Sequence, residues 1–368
     1  MATAVVTDGK YRTSIAAVRA LGRAGYRVIV TQTRGDSALE PPVFSSRYVS
    51  ESRWLDGAAA GPDYPDKLYE LLRSYDHPVL FCAGAVTLNA VAKQRERFEQ
   101  VCDFLIASPE ALDALNDKET IHRRCEELGI PVPKQYDGEP EGWPVIIKPH
   151  CGEKFGLKAK DRYAIANNSE EYAAKRAAMA KYDPNPIVQQ KVDGQGAGAS
   201  LLLDRDGRLI SAICHRRIRE YPAAGGPSTC CESFYDAHMI DSAYRLLSSF
   251  GFVGMAMVEF KGAYVLEVNP RVWGSFPMTE RAGSPFVSRY AQAAAGERLD
   301  YQPQDYQTGV RMRFTLNDGA AMLNYLRHGR PGPFFQGMAD WFRAKDALSA
   351  RDDPKPLRRY VRGMLLKR

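Results

Sequence analysis

Two glutamates eight residues apart give the sequence its clearest chemical pattern. They lie in Met257-Val-Glu-Phe-Lys-Gly-Ala-Tyr-Val-Leu-Glu-Val-Asn-Pro-Arg271. Strand side chains alternate faces, so Glu267, Asn269 and Arg271 are expected on one side, and Leu266 and Val268 on the core side. A connection centred on Ala263 would set Glu259 opposite Glu267. Two adjacent carboxylates repel unless positive charge lies between them. Oxygen-only donors with an amide nearby suit Mg²⁺, which keeps several waters and is completed by substrate phosphates. Glu259, Glu267 and Asn269 are therefore the candidate metal ligands, against the alternative of an exposed hairpin with solvated acids. Arg271, planar and permanently charged, suits a carboxylate or a developing oxyanion.

Lysines supply the complementary charge. Lys148 ends the apolar run Val145-Ile146-Ile147 and precedes Pro149-His-Cys-Gly-Glu-Lys-Phe-Gly-Leu-Lys158. A lysine leaving a buried strand beside a glycine-containing turn is a common phosphate cradle. The order of residues excludes a G-x-x-x-x-G-K-[ST] loop. Lys118, at an expected helix start after Asp117, could add a second positive contact. Ile187-Val-Gln-Gln-Lys-Val192 is apolar at both ends, and Gln189 or Gln190 could read the polar edge of a flat base. Further on, His215, Arg217 and Arg219 share one face if the chain is extended, and three like charges call for an anion. The following Ala-Ala-Gly-Gly-Pro-Ser-Thr reads as a loop able to close over a substrate. No cysteine–histidine–asparagine arrangement is readable around Cys151, Cys230 or Cys231, so these are expected to be buried thiols.

Alternating elements must hold these residues. Residues 3–7, 27–31 and 78–82 read as strands, with helical patterns at 14–21 and 68–72 between them, which argues for a parallel α/β sheet. No G-x-G-x-x-G follows the first strand. The fold class is thus α/β and α+β. A parallel α/β layer (1–115) precedes a segment of different character (116–300) and a small helical C-terminal extension (301–368). The 368 residues are 45% hydrophobic and 26% charged, ordinary globular usage that excludes a disordered chain. The net charge is +6, yet Lys355 to Arg368 hold six basic residues and no acid, leaving residues 1–354 formally neutral. That argues against a nucleic-acid-binding body. Leu357, Tyr360, Val361, Met364 and Leu365 form one stripe of a basic terminal helix. Docking on its own domain is favoured over a peripheral membrane or protein contact. Seven irregularly spaced cysteines, no membrane-length apolar run and no leader fit a reducing cytoplasm.

The order of these pieces resembles the ATP-grasp superfamily. Lys118 opens a helix, Lys148 ends a strand before a glycine loop, a Gln-Gln-Lys-Val strand follows, and then Val258-Glu259-Phe260 leads to Leu266-Glu-Val-Asn-Pro-Arg271. The Glu…Glu-x-Asn-Pro-Arg run is the most specific part, and the stretch from His215 to Thr229 is similar to one branch of stand-alone carboxylate–amine ligases. The resemblance spans about residues 1–300 and makes the first layer a pre-ATP-grasp domain. It implies that residues 116–300 form a two-lobed domain (lobes about 116–192 and 193–300) with ATP between the lobes. Lys118 and Lys148 would hold phosphates, and Gly152, Lys154, Gly156 and Lys158 would belong to the phosphate lid. Gln189, Gln190, Lys191 and Val192 would face adenine. The acid usually found on the ribose has only Asp193 as its counterpart, and the lid has fewer glycines than many members. Glu259, Glu267 and Asn269 would bind one or two Mg²⁺, with Mn²⁺ as the alternative ion. Arg271, with Arg217 or Arg219, would hold the acyl substrate. The implied reaction joins a carboxylic acid to an amine through an acylphosphate. Another acceptor (thiol, bicarbonate or hydroxyl) and a non-catalytic nucleotide-binding scaffold remain alternatives. Small-molecule substrates are expected as partners, and a homodimer is left open.

Overall fold

The computed structural model describes residues 1–150, 157, 163–222 and 226–366. The first layer is a four-stranded parallel sheet of β1 (Thr3–Val6), β2 (Arg27–Thr33), β3 (Val49–Leu55) and β4 (Val79–Phe81), in the order β3-β2-β1-β4. Alternate residues of its strands feed two separate cores. Val5, Ile29 and Leu80 pack with Leu68 and Leu72 of the helix Tyr64–Arg73. Ala4, Val6, Val28, Val30 and Phe81 pack with Ile15, Val18 and Leu21 of the helix Arg12–Arg23. This is the two-sided burial that parallel sheets require. The edge strand β3, Val-Ser-Glu-Ser-Arg-Trp-Leu, has no apolar face and was not expected from its sequence.

A small lobe follows. Asp117 caps the helix Lys118–Glu127 by accepting from the Thr120 N–H at 2.7 Å. Three antiparallel strands, β5 (Val145–Lys148), β6 (Ala164–Ala166) and β7 (Ile187–Gln190), run in the order β6-β5-β7. They close on their own core of Val145, Ile147, Ala166, Tyr172, Met179 and Val188.

The large lobe is a seven-stranded sheet. It contains β8 (Gly196–Leu203), β9 (Leu209–Glu220), β10 (Ser228–Phe234), β11 (Gly254–Lys261), β12 (Tyr264–Asn269), β13 (Arg311–Arg313) and β14 (Lys345–Asp346). The order is β12-β11-β8-β9-β10-β13-β14. Of the Ala-Ala-Gly-Gly-Pro-Ser-Thr run expected as a loop, Ser228 and Thr229 belong instead to β10, which pairs with the end of β9, and residues 223–225 lie outside the described residues. Strand β13 pairs with β10 at Arg313↔Cys230 and β14 with β13, so the 301–368 region completes the sheet edge. The basic terminal helix Lys355–Leu366 packs Leu357 and Tyr360 against the core under β1 and β2, and Arg359 pairs with Glu40. Fully buried Arg19 also holds Asp353 at 3.0 Å. The docked reading of the tail thus fits its packing. No helix among the described residues is long and apolar enough to cross a membrane.

Candidate active site

Strands β11 and β12 form a hairpin with Glu259 directly opposite Glu267. The connection is the two residues Gly262-Ala263, with Lys261 paired to Tyr264 and Gly262 at φ +58. A bulge compensates: Phe260 pairs with Val265, leaving Leu266 as the extra residue. Leu266 therefore lines the cleft beside Glu267, while Val265 and Val268 take the core, a correction to simple alternation. The cleft encloses about 1030 Å³ between the two lobes, and Glu259, Glu267, Asn269 and Arg271 all line it.

Cations converge on the carboxylate pair. Arg217 Nη2 lies 2.6 Å from Glu259 Oε2, and Lys118 Nζ lies 3.4 Å from Glu267 Oε2. Burial pushes the Glu259 carboxyl up, against the pull of Arg217. For Glu267 the cleft wall acts in the same direction, but Lys118, Lys148 and Arg217 outweigh it and hold the carboxyl below its ordinary value. Lys148 is pushed down to about 8, chiefly by burial and then by Lys118, with both glutamates opposing the shift. No group of three or more His, Cys, Asp or Glu side chains forms a metal cage among the described residues. Two carboxylates and an amide fit a hard cation that takes its other ligands from phosphate oxygens and water.

The hinge side is built for a flat ligand. Gln189 is buried within β7 and lines the cleft with Gln190, Lys191, Val192 and Asp193. Lys191 Nζ binds Asp193 Oδ1 at 2.9 Å. Gly194, at φ +134, lies so close to the hairpin turn that a Cβ would come within 2.9 Å of the Gly262 nitrogen. The expected contacts at Gly152, Lys154, Gly156 and Lys158, and the thiol of Cys151, lie outside the described residues.

The three basic residues of β9 part company. Arg217 enters the cleft, also reaching Glu220 at 3.5 Å and the Gly226 carbonyl at 3.4 Å. Arg219 does not. The register slips between Cys231↔Arg217 and Cys230↔Arg219, so Ile218 is an extra residue and Arg219 turns to the opposite face. There it is fully buried, donating to both oxygens of Asp318 at 2.8 Å and to Asp340 at 2.7 Å. Its expected place on the acyl substrate is therefore corrected to a structural one. His215 shares the cleft with Arg217, exchanging a 2.9 Å hydrogen bond with the Ser275 hydroxyl. Burial, reinforced by Arg217, pushes its imidazole down to about 3, so it is neutral at pH 7. Gly198 leaves it room, since a Cβ there would sit 2.7 Å from His215 Cε1. Cys230 and Cys231 are buried, and burial pushes the Cys230 thiol up to about 12.

Several lining residues escaped the sequence reading: Arg12, Tyr163, Glu220, Phe314, Tyr325 and Arg330. They come from the first layer, the small lobe, β9 and the C-terminal region, and no local motif ties them to the hairpin.

A cleft between an antiparallel small lobe and a larger sheet, with paired carboxylates opposite lysines, defines a class of nucleotide-binding fold. Residues 115–275 match the model of the ATP-grasp domain, so this segment of the chain is an ATP-grasp domain. It is 24% identical over 283 residues to chloroplastic biotin carboxylase 1 of Populus trichocarpa, covering 68% of this chain and 51% of that one. It is 25% identical over 328 residues to the carbamoyl phosphate synthase large chain of Thermomicrobium roseum, covering 82% and 29%. The chain thus spans about half the length of the former relative and under a third of the latter. Among solved structures, the Campylobacter jejuni biotin carboxylase–β-γ-ATP complex superposes with a TM-score of 0.62 at 15% identity, covering 84% of this chain and 74% of that one. The biotin carboxylase domain dimer of Hydrogenobacter thermophilus 2-oxoglutarate carboxylase, complexed with MgADP, ADP and bicarbonate, gives 0.64 at 15%, covering 84% and 73%.

Proposed function

We propose that this chain is an ATP-dependent ligase that joins a carboxylic acid to an amine and releases ADP and phosphate. The observation that carries the reading is the opposed Glu259–Glu267 pair, faced by Lys118, Lys148 and Arg217 inside one interlobe cleft. Such a site positions phosphates and neutralises charge, which is most of what phosphoryl transfer asks of a protein.

In the first step a carboxylate oxygen of the acid bonds to the γ-phosphorus as the bond to the β–γ bridging oxygen breaks. This gives an acylphosphate and ADP. In the second, the amine nitrogen bonds to the acyl carbon, the bond to the phosphate oxygen breaks, and the amine proton leaves to solvent. Lys118 and Lys148 offset the charge of the transferring group. Lys148 stays largely protonated at pH 7 because that lies below its pKa of about 8. Arg271 lines the same cleft two residues beyond Asn269 and faces the acyl oxyanion. Gln189 to Asp193 take the base and ribose. Glu259, Glu267 and Asn269 would hold one or two Mg²⁺ (Mn²⁺ suits the same donors), which when bound neutralise phosphate oxygens. Arg217 and Lys118 give the two carboxylates their counter-charge.

The biotin carboxylase relatives favour a second reading, with bicarbonate as the acid. A homodimer is compatible with either. Phosphate release with pools of organic acids, bicarbonate and amines, followed by mass spectrometry, tests both. An amide product supports the ligase reading, a carboxylated acceptor supports bicarbonate, and a phosphorylated product without free phosphate refutes both.

A further inference from the structure

We propose that the end of the cleft beyond Arg271 is a second anion site centred on Arg12, so that the acid substrate carries two carboxylates. The word substrate here rests on the ligase reading above; the site itself does not.

The site's position follows from β12. Its turn at Gly262 touches the hinge, with the Gly262 N–H donating to the Gln195 carbonyl at 3.1 Å. From there β12 runs six residues to Asn269, about 20 Å of strand. Arg271 and Trp273 therefore lie at the end of the cleft opposite Gln189 to Asp193. Two distant segments meet them there. Arg12 opens the helix that follows β1, and Phe314 follows β13; the guanidinium carbon sits 4.0 Å from the centre of the phenyl ring. Stacking engages the face of a guanidinium and not its N–H edge, which is the part that grips a carboxylate in a fork. Among the described residues no carboxylate lies within ion-pair distance of Arg12. Tyr325 and Arg330 also line the cleft, with the arginine 5.0 Å over the tyrosine ring.

Charge balance points the same way. The described lining residues include eight lysines and arginines against four carboxylates, an excess of +4. Neutral His215 adds nothing. A magnesium-bound nucleoside triphosphate brings a charge of about −2. With one Mg²⁺ and the described lining residues, an acid with one carboxylate leaves a positive excess, whereas a dicarboxylate balances it. The walls of Trp273, Phe314 and Tyr325 suit the short carbon chain between the two groups.

The test uses the full chain with ATP and Mg²⁺. Acid-dependent ADP release, with hydroxylamine trapping the activated acyl group, is measured for dicarboxylates of three to six carbons, for aspartate and glutamate, and for their monomethyl esters. The expected result is a KM for a dicarboxylate at least about tenfold below that of its ester. Arg12→Gln should raise the dicarboxylate KM about ten- to a hundredfold and leave the KM for ATP unchanged. Arg12→Lys should restore part of the loss, and Phe314→Leu should raise the same KM more modestly. Equal use of acids and esters by the wild type, or an unchanged dicarboxylate KM in Arg12→Gln with an unchanged melting midpoint, overturns the proposal. If no acid releases ADP, the ligase reading fails and calorimetry with the same dicarboxylates decides the site alone. Saturable binding weakened at least about tenfold in Arg12→Gln supports it. No binding, or binding indifferent to Arg12, overturns it.

Discussion

Arg217 and Arg219 are two residues apart on one strand, and the structure assigns them opposite consequences on mutation. Arg219→Ala removes three hydrogen bonds to Asp318 and Asp340, whose side chains are 0% and 1% exposed. Removing one partner of a buried ion pair typically costs about 3–5 kcal/mol, because the other charge stays buried without compensation. The two aspartates are not left equally bare. Asp340 keeps Arg311, whereas among the described residues Asp318 keeps only the Thr229 hydroxyl at 3.0 Å. One carboxylate, not two, is stranded, which places the loss near the lower bound, about 3 kcal/mol. For a chain of 368 residues that corresponds to a fall of roughly 4 °C in the melting midpoint. Arg219→Ala should therefore melt early yet keep the wild-type KM for ATP when assayed below its transition. Arg217→Ala should do the reverse: its pair with Glu259 is partly exposed to the open cleft, so its midpoint falls by less than that of Arg219→Ala while ATP turnover falls by about a hundredfold or more. Pairing Arg219→Met with Asp318→Leu should recover much of the lost stability, since well-packed apolar groups can replace a buried ion pair. Scanning calorimetry and ADP release on the same preparations check all three. An Arg219→Ala protein that melts with the wild type, or that loses turnover as Arg217→Ala does, would refute the placement.

Other consequences are equally direct. Glu267→Gln keeps an oxygen but removes the charge opposite Glu259, so ADP release should fall to about 1% of wild type or less while the fold persists; normal ADP release would defeat the metal assignment. Protonated His150 donates at 2.8 Å from Nδ1 to Asp183 and from Nε2 to Glu119. Burial would lower its pKa, but these two partners raise it above the ordinary value. Its stabilising contribution is complete below about pH 6.5 and is lost as pH climbs through the raised value. Wild-type melting midpoints should drop over that alkaline-going range, and His150→Gln should flatten the drop; a parallel pH profile in the variant would contradict the pairing. Gly254 opens β11 at φ +99 with its α-carbon against the Leu105 carbonyl. Gly254→Ala adds both backbone strain and a steric clash, and should cost about 3 kcal/mol by denaturant titration.

What could be read from the sequence, and what could not, divides along a physical line. The helix at Lys118 was legible because its cap, Asp117, is adjacent in sequence. The hairpin was legible because the eight-position spacing of the glutamates fixes a near-symmetric pairing, and Glu259 does lie opposite Glu267. Strand alternation then failed twice, at Leu266 and at Arg219, for one reason: a bulge inserts one residue and reverses every side chain beyond it. Bulges answer to the partner strand, and β10 was itself hidden in a segment read as a loop. The edge strand β3 escaped for a related reason, since a half-exposed edge needs no apolar face. The run His215-Arg-Arg-Ile-Arg219 shows the wider point. Read alone, its charges call for an external anion. In the folded chain Arg219 meets Asp318 and Asp340 about a hundred residues later, on helices beside β13 and β14. Arg217 meets Glu259 across the cleft. A basic strand is a binding surface only where the rest of the chain brings no acid to it. That is why Arg217 and Arg12 belong to the cleft, one facing the metal-type carboxylates and the other facing no carboxylate among the described residues.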